Sequence, residues 1–569
     1  MYIPPRLACK ALVTSFGARL LSDGFLLLLS ASPLHSTASR LALIAALLSP
    51  VLLAACEVGP DFKRPDAPAT SQFEETPLPD STSSADNPTG SPQQFQPGAD
   101  IVAEWWTLYH SEPLNRLIKE ALRANPDLQS AEATLREAQE NTAAAEGYLF
   151  PTVTGDFNTV RQKTSGAAYG GTFPGSVYTV HTAQVSVSYG LDVFGGTRRA
   201  IEQVEAQEEY SRFQLEAAYV TLTTNLVNAA VNEASLRGQI KATQQIIAAE
   251  EKQLKVAEAQ FQYGAASKAV VLLQQATLEQ TRATLPALEK RLGQNRHLLS
   301  VLTGHLPSDP LPANFTLDTL ALPTTLPVSL PSNLVEQRPD IRAAEANLHY
   351  ASAGIGVAIA NRLPQVSLSA DLGDAATNLG KLFTPGTGIW SMGLGLSQTL
   401  FDAGTLAHKQ GAAEAAFDAS AAQYRSTVLS AFQDVADTLR ALRSDADALN
   451  AQTVAERAAA GSLKLSQEQY KDGSITYVVL LNAEQTEQQA VINLVQAEAQ
   501  RYADTAALFQ ALGGGWWNRK PDIDAYVNAP ANPPGDPASE DAVTSGGYQP
   551  ANSNINTTAP ASETGVTHD

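Results

Sequence analysis

Residues 197–262 read TRRAIEQVEAQEEYSRFQLEAAYVTLTTNLVNAAVNEASLRGQIKATQQIIAAEEKQLKVAEAQFQ, 66 residues with no proline and a single glycine, Gly238. Their apolar positions keep a 4,3 rhythm. Leu215, Ala218 or Tyr219, Leu222, Leu226, Ala229, Leu236, Ile240, Ile247, Leu254, Ala257 and Phe261 share one heptad register, interrupted by Glu233, Thr243 and Glu250. The pattern predicts a helix whose seam faces another helix along its whole length. At about 1.5 Å per residue it spans roughly 100 Å, more than an ordinary globular domain can bury. The run closes at Phe261-Gln262-Tyr263-Gly264, and a second helical run begins from Ser267. Gly264 suits the left-handed residue that ends a helix and Ser267 the cap of the next, so a tight helical hairpin is expected.

The same plan occurs again. Thr405 to Asp472 is free of proline, carries Tyr424, Val428, Phe432, Val435, Leu439, Leu442 and Leu449 in the same rhythm, and closes at Tyr470-Lys471-Asp472-Gly473 before Thr476 restarts a helix. Asn125-Pro126-Asp127-Leu128 against Arg338-Pro339-Asp340-Ile341, Pro151 against Pro364, Gly196 against Gly404 and Gly264 against Gly473 are offset by 213, 213, 208 and 209 residues. A nearly constant offset points to an internal duplication, with two repeats of about 210 residues forming one body.

Between the helical stretches the period changes from helical to two. Val153, Gly155 and Phe157 alternate with Thr154, Asp156 and Asn158. After a glycine-rich loop, Val177, Thr179, Ala183, Val185, Val187, Tyr189 and Leu191 alternate with Thr182, Gln184, Ser186, Ser188 and Asp192. In the second repeat Val366, Leu368, Ala370 and Leu372 oppose Ser367, Ser369 and Asp371, and Trp390, Met392, Leu394 and Leu396 oppose Ser391, Gly393, Gly395 and Ser397. Such strands suit a membrane barrel with lipid outside and water within, although a half-buried soluble sheet alternates too. About eight strands are the least that close a membrane barrel, and open edges in lipid are not tolerated. If these are membrane strands the chain must therefore oligomerise, and three copies supply twelve strands above twelve long helices.

The ends read differently. Arg40 precedes an apolar run from Leu41 to Leu53, followed by Leu53-Ala54-Ala55-Cys56. That run is too short for a mature membrane helix, whereas a basic flank, a short apolar core and small residues make a signal peptide. Cys9 and Cys56 are the only cysteines, so removal of the leader leaves Cys56 without a thiol partner. The segment after it, to about Asp100, is rich in Pro, Ser, Thr and Asp and is expected to be an extended arm or tether. Trp105-Trp106 opens the first helical region, with Leu114, Leu117, Ile118, Ala121 and Leu122 on one face. Pro286 is expected to kink the first return helix. Pro307 to Pro331 carries six prolines and reads as a linker, and from Lys520 the tail reads as disordered. The domain organisation is thus 1–55 signal peptide, 56–103 arm, 104–306 first repeat, 307–331 linker, 332–517 second repeat and 518–569 acidic tail.

The ends carry much of the net charge of −20, and no basic patch recommends nucleic acid. Enzyme chemistry finds no footing. The eight histidines form no ligand spacing, Gly354-Ile355-Gly356 followed by Ile359 is an incomplete dinucleotide fingerprint, and there is no nucleophile elbow or phosphate loop. No cofactor is implied. A structural coiled-coil protein of the envelope would explain the heptads but not alternating strands at equivalent places in both repeats.

Cys56 followed by Val58-Gly59-Pro60-Asp61-Phe62-Lys63-Arg64-Pro65, the early Trp105-Trp106, the duplicated helix, strand, strand, helix plan and the terminal Leu512-Gly513-Gly514-Gly515-Trp516 resemble the outer-membrane efflux channel family, in its TolC-like lipoprotein branch serving resistance-nodulation-division pumps. The resemblance covers about Cys56 to Trp517. It implies a mainly α fold with a β-barrel part: a coiled-coil-like helical tunnel in the periplasm and four strands per chain completing a twelve-stranded trimeric barrel. It implies lipidation at Cys56, and Glu57 after it is compatible with export to the outer membrane. The partners implied are two further copies of the chain, outer-membrane lipid, a periplasmic adaptor and an inner-membrane pump, with the chain itself a passive conduit for small molecules. A type I protein-secretion channel shares the fold and is the alternative, which lipidation and the Val58-Gly59-Pro60 arm disfavour. In the family the hairpin turns meet the adaptor, which marks Tyr263, Gly264, Ser267, Tyr470, Gly473 and Thr476 as contacts; glycine with serine or threonine is also what any such turn requires. Family members narrow the tunnel above the tips with a leucine and an aspartate four residues apart. The matching positions here are Val478 and Asn482, so an acidic ring is absent and conductance is expected to depend little on pH between about 4 and 7, unless Glu484 or Asp472 supplies the acid.

Overall fold

The computed structural model describes residues 57–165, 175–311 and 313–519. The signal segment, Cys56, the centre of the glycine-rich loop and the tail from Lys520 lie outside the described residues. In chain order the elements are β1 (Gln94–Pro97), α1 (Glu112–Ala124), α2 (Pro126–Glu146), β2 (Thr152–Lys163), β3 (Val177–Leu191), α3 (Gly196–Gln262), α4 (Lys268–Leu302), β4 (Thr325–Val328), α5 (Pro331–Gln337), α6 (Pro339–Ala360), β5 (Gln365–Ala376), β6 (Gly388–Ser397), α7 (Thr405–Lys471) and α8 (Tyr477–Ala511).

The helix starts follow local chemistry. Asn125 sits before Pro126 in extended conformation, and its side-chain oxygen accepts from the amide of Leu128 at 3.0 Å. On α1 the apolar face buries Leu114, Leu117, Ile118 and Ala121. The two long helices, α3 and α7, are each 67 residues, and the two return helices, α4 and α8, are each 35. At about 1.5 Å per residue the long ones reach roughly 100 Å. Helix α3 lies against α2, α4, α6 and α8, while α7 packs on α6 and α8. No helix among the described residues is long and apolar enough to cross a membrane.

The sheet stands at the other end of these helices from their hairpin turns. Its order is β2-β3-β5-β6, antiparallel throughout. The register sets Val153 opposite Val187 and Val185 opposite Leu372, with Val187, Ala370 and Met392 in one row and Tyr189, Leu368 and Leu394 in another. One face is therefore apolar over these rows, with Asp374 beside Ala183 and His181 beside Thr159 beyond them. The other pairs Thr154 with Ser186, Asp156 with Gln184, and Asp371 with Ser391, the last through a 2.6 Å hydrogen bond from the serine. Trp390, Met392, Leu394 and Leu396 on the apolar face are largely exposed, and the outer edges of β2 and β6 have no strand partner among the described residues.

A waist forms where chain ends meet chain middle. Strand β1 pairs in parallel with β4, and Trp105 stacks on Phe509 with ring centroids 5.0 Å apart. The Tyr109 hydroxyl donates to the carbonyl of Tyr502 at 2.8 Å, and that of Tyr502 to Leu320 at 3.2 Å. Gly513, Gly514 and Gly515 all take positive φ, and a Cβ on Gly514 would sit 2.7 Å from Val220. The terminal glycines are thus required by conformation and by space together.

Several expectations are revised. The arm is extended but is no free tether: Phe62 stacks on His349 at 4.3 Å, Arg64 pairs with Glu336 and Glu345, Glu74 with Arg443, and Asn87 donates to Glu498. Its polar composition denies it a core, yet polar partners on the helices hold it. The proline-rich linker is likewise packed, with Phe315, Leu320 and Leu326 buried and β4 in its course. Pro286 lies inside α4, one helix from Lys268 to Leu302. The body extends past Trp517 to Arg519, whose guanidinium lies 4.3 Å over the Tyr219 ring. Ser267 and Thr476 occupy the cap positions of α4 and α8, but neither side chain makes the capping hydrogen bond. Of the heptad series, Phe261 is 42% exposed, whereas the interrupting residues Glu233, Thr243 and Glu250 are buried.

Candidate functional site

Both hairpins turn by the same hydrogen bonds. In the first, the amides of Tyr263, Gly264 and Ala265 donate to Ala259, Phe261 and Gln260 at 3.1, 3.0 and 2.7 Å. In the second, those of Asp472, Gly473 and Ser474 donate to Glu468, Tyr470 and Gln469 at 3.1, 3.1 and 2.9 Å. Gly264 and Gly473 have φ of 76° and 71°, which reverses the chain without a Cβ penalty. Both face open space.

The two tips are joined. The Tyr470 hydroxyl donates to Gln260 Oε1 at 3.2 Å, and its ring meets Tyr477 edge-on at 5.7 Å. Tyr477, Leu480 and Leu481 form a buried cluster on which Val270, Leu463, Tyr470 and Ile475 pack, so α4 of one hairpin and α7 and α8 of the other share an apolar knot. Of the expected contact residues only Tyr470 is drawn into it. Gly264, Ser267, Gly473 and Thr476 are exposed, and Tyr263 is 89% exposed. Val478 and Asn482 lie one turn apart on the exposed side of α8, with Val478 at 55%.

Behind Asn482 lies a polar layer that the heptad reading did not foresee. Glu250 and Gln253 of α3 face Glu484 and Gln488 of α8. Gln253 Nε2 donates to Glu484 Oε1, and Gln488 Nε2 donates to Glu250 Oε1 at 2.8 Å. From α4, the Thr281 hydroxyl donates to Glu250 Oε1 at 3.0 Å and Gln274 Nε2 to Gln253 Oε1 at 3.3 Å. Glu250, Gln274 and Glu484 are buried, and Glu250 Oε2, Glu484 Oε2 and Gln274 Oε1 have no hydrogen-bond partner among the described residues. Burial pushes the Glu484 carboxyl up to about 7 against the hydrogen bond from Gln253, and the charges of Glu250 and Glu487 push the same way. The only sequence signal for this layer was the break in the heptad at Glu250.

At the opposite end the arm begins at the foot of the sheet. The Val58 amide donates to Phe194 at 3.1 Å, and the buried Arg199 in the first turn of α3 donates to Val58 O at 3.1 Å and pairs with Glu57, Asp61 and Glu202. His349 Nε2 lies 2.7 Å from Glu202. Burial works against the Glu202 charge, but the hydrogen bonds from His349 and Arg199 prevail and bring its carboxyl down to about 2. Glu57, the neighbour of Cys56, is thereby fixed where strand gives way to helix.

Comparison with known proteins gives a consistent picture. The family described as "Outer membrane efflux protein" matches residues 117–305 and 330–514. The "Antibiotic efflux pump outer membrane protein ArpC" of Pseudomonas putida is 27% identical over 471 residues, 82% of this chain and 94% of that protein. The "Probable outer membrane lipoprotein SilC" of Salmonella typhimurium is 28% identical over 477 residues, 82% of this chain and 97% of its own. Among solved structures, the outer-membrane channel OprN superposes with a TM-score of 0.73 at 27% identity, covering 81% of this chain and all of that one.

Proposed function

The chain belongs to the outer membrane efflux protein family, and from that premise we propose that it is the outer-membrane duct of a tripartite efflux system. Three copies would close one barrel of twelve strands by joining β6 of each copy to β2 of the next, and would bring six long helices and six return helices into a tunnel beneath it. The observation that carries this is the four-stranded sheet with one largely apolar, exposed face and two edges unpaired among the described residues, standing on helices of 67 residues. Lipid would cover that face and neighbouring copies the edges. The equal lengths of the paired helices support the internal duplication.

Cys56 would carry the lipid anchor, and Glu57 at the foot of the sheet supports an anchor at the membrane surface. The hairpin tips would dock a periplasmic adaptor through Tyr263, Gly264, Ser267, Tyr470, Gly473 and Thr476, and the adaptor would join a resistance-nodulation-division pump of the inner membrane. Small molecules delivered by the pump would pass out through the duct. No step of the work is catalytic; the energy is the pump's. The exposure of Val478 and Asn482 supports a constriction there. The name of the Pseudomonas putida relative places it in an efflux pump, which favours efflux over type I protein secretion.

Mass in detergent and conductance in planar bilayers test this together. The expected outcome is a trimeric mass and a small conductance that rises when Val478 and Asn482 are both replaced by alanine. A monomer, or a trimer that makes no pore, would overturn it.

A further inference from the structure

The polar layer of α3, α4 and α8 is a crossed pair: each long-hairpin partner offers one glutamate and one glutamine, and each glutamate accepts from the other helix's glutamine. Every hydrogen-bond donor that reaches the two carboxyls is a neutral amide or hydroxyl. The ionisable groups that act on Glu484 are Glu250 from α3 and Tyr477 and Glu487 from α8 itself. Helix α7 adds Tyr470 beside Tyr477 and Glu456 beside Glu487, and α4 adds only the uncharged Gln274 and Thr281. None of these is cationic. A buried carboxylate with one oxygen unpartnered and no cation is costly, whereas its protonated form is neutral and can donate.

Asn482 precedes Glu484 by two residues, about 200° round the same helix. Whatever holds Glu484 holds the wall from which Asn482 and Val478 project. We propose that Glu484 and Glu250, with Gln253 and Gln488, form a proton-holding clasp that positions the tip half of α8 and so sets the width of the duct at Val478 and Asn482. This rests on the reading of the chain as an export duct. Glu484 is a positioning residue here: it faces α3, and the gate faces away from it.

The sign follows from its raised carboxyl. The clasped arrangement, in which Glu484 titrates at about 7, is favoured at low pH over a loosened one in which water restores an ordinary value near about 4.3. The open-to-closed ratio therefore climbs with pH by up to about tenfold per unit between those values and levels off above the upper one. The chain thus gains a pH dependence that its acid-free constriction alone would lack.

The test uses the full trimer in planar bilayers between pH 5 and 8, comparing the native chain with Glu484→Gln and Glu484→Ala. Expected are a native conductance that rises towards pH 7, a Glu484→Gln channel held at the low-pH level throughout because it keeps the hydrogen bonds without the charge, and a Glu484→Ala channel open throughout. A flat native profile, or Glu484→Gln following the native curve, overturns the clasp and leaves the duct intact. A trimer that makes no pore at any pH removes the duct instead. A spin label at Ser474→Cys, on the exposed tip, then reads the clasp directly in detergent: tip spacing that widens from pH 5 to 7 and stays fixed in Glu484→Gln supports it, and pH-independent spacing overturns it.

Discussion

Arg338 stands one residue before α6 and reaches three other places at once. Its guanidinium donates to Asp340 at 2.6 and 3.0 Å, to Asp434 of α7 at 3.0 Å and to the carbonyl of Ala511, the last residue of α8, at 3.0 Å. Burial opposes its charge, yet the carboxylates of Asp340 and Asp434 more than offset that and raise its affinity for the proton. Replacing Arg338 by alanine is expected to cost about 1–3 kcal/mol through the orphaned carbonyl and carboxylates, and lysine to recover only part of it because one ammonium cannot serve a fork; thermal unfolding of the two variants measures both. The sequence marked Arg338-Pro339-Asp340 only as a landmark of the repeat, since partners 96 and 173 residues away leave no trace nearby. Val478 and Asn482 were proposed through the family pattern, and the structure sets both on the exposed side of α8. Glu484 was visible only as a spare acid, because what makes it unusual is the face of α3 it meets.

At the level of elements, the long helices were readable almost to the residue. The run expected from Thr197 to Gln262 begins one residue earlier, at Gly196, and that expected from Thr405 to Asp472 ends one residue sooner, at Lys471. Absence of proline and a steady apolar period decide such helices locally. The interruptions at Glu233, Thr243 and Glu250 were misjudged as breaks in the seam. Glu233 is buried between Arg237 and Arg296, and Glu250 lies in the clasp, so polar pairing takes the place of apolar contact. The turns at Gly264 and Gly473 were legible from residue type. Because both glycines face open space, Gly264→Leu with Gly473→Leu is expected to leave a folded trimer, at about 1–2 kcal/mol per site for the left-handed backbone. The same pair is expected to abolish complementation of drug resistance in a strain lacking its own duct; unchanged resistance would remove these turns from adaptor docking.

For the whole molecule, the strands told more by their number than by their pattern: alternation suits many sheets, but four strands with open edges demand partners. The arm was the part least legible, because proline, serine and aspartate describe what a segment cannot bury and are silent about what it can be tied to. Its ties have a consequence for order in time. Asp100 receives hydrogen bonds from Trp517 and Asn518, Thr89 from Arg501, and Gln93 donates to Thr505, all more than 400 residues along the chain. Contacts of such sequence separation form late, and these wait for the last helix to be made. In a refolding time course the bond after Phe95 is therefore expected to stay open to chymotrypsin after both hairpins have become resistant; simultaneous protection would refute it. An early segment thus finishes folding last, so that an end acylated at Cys56, as proposed, would reach its membrane on a slack line, and the seating of the arm afterwards would draw that line in against a body already built.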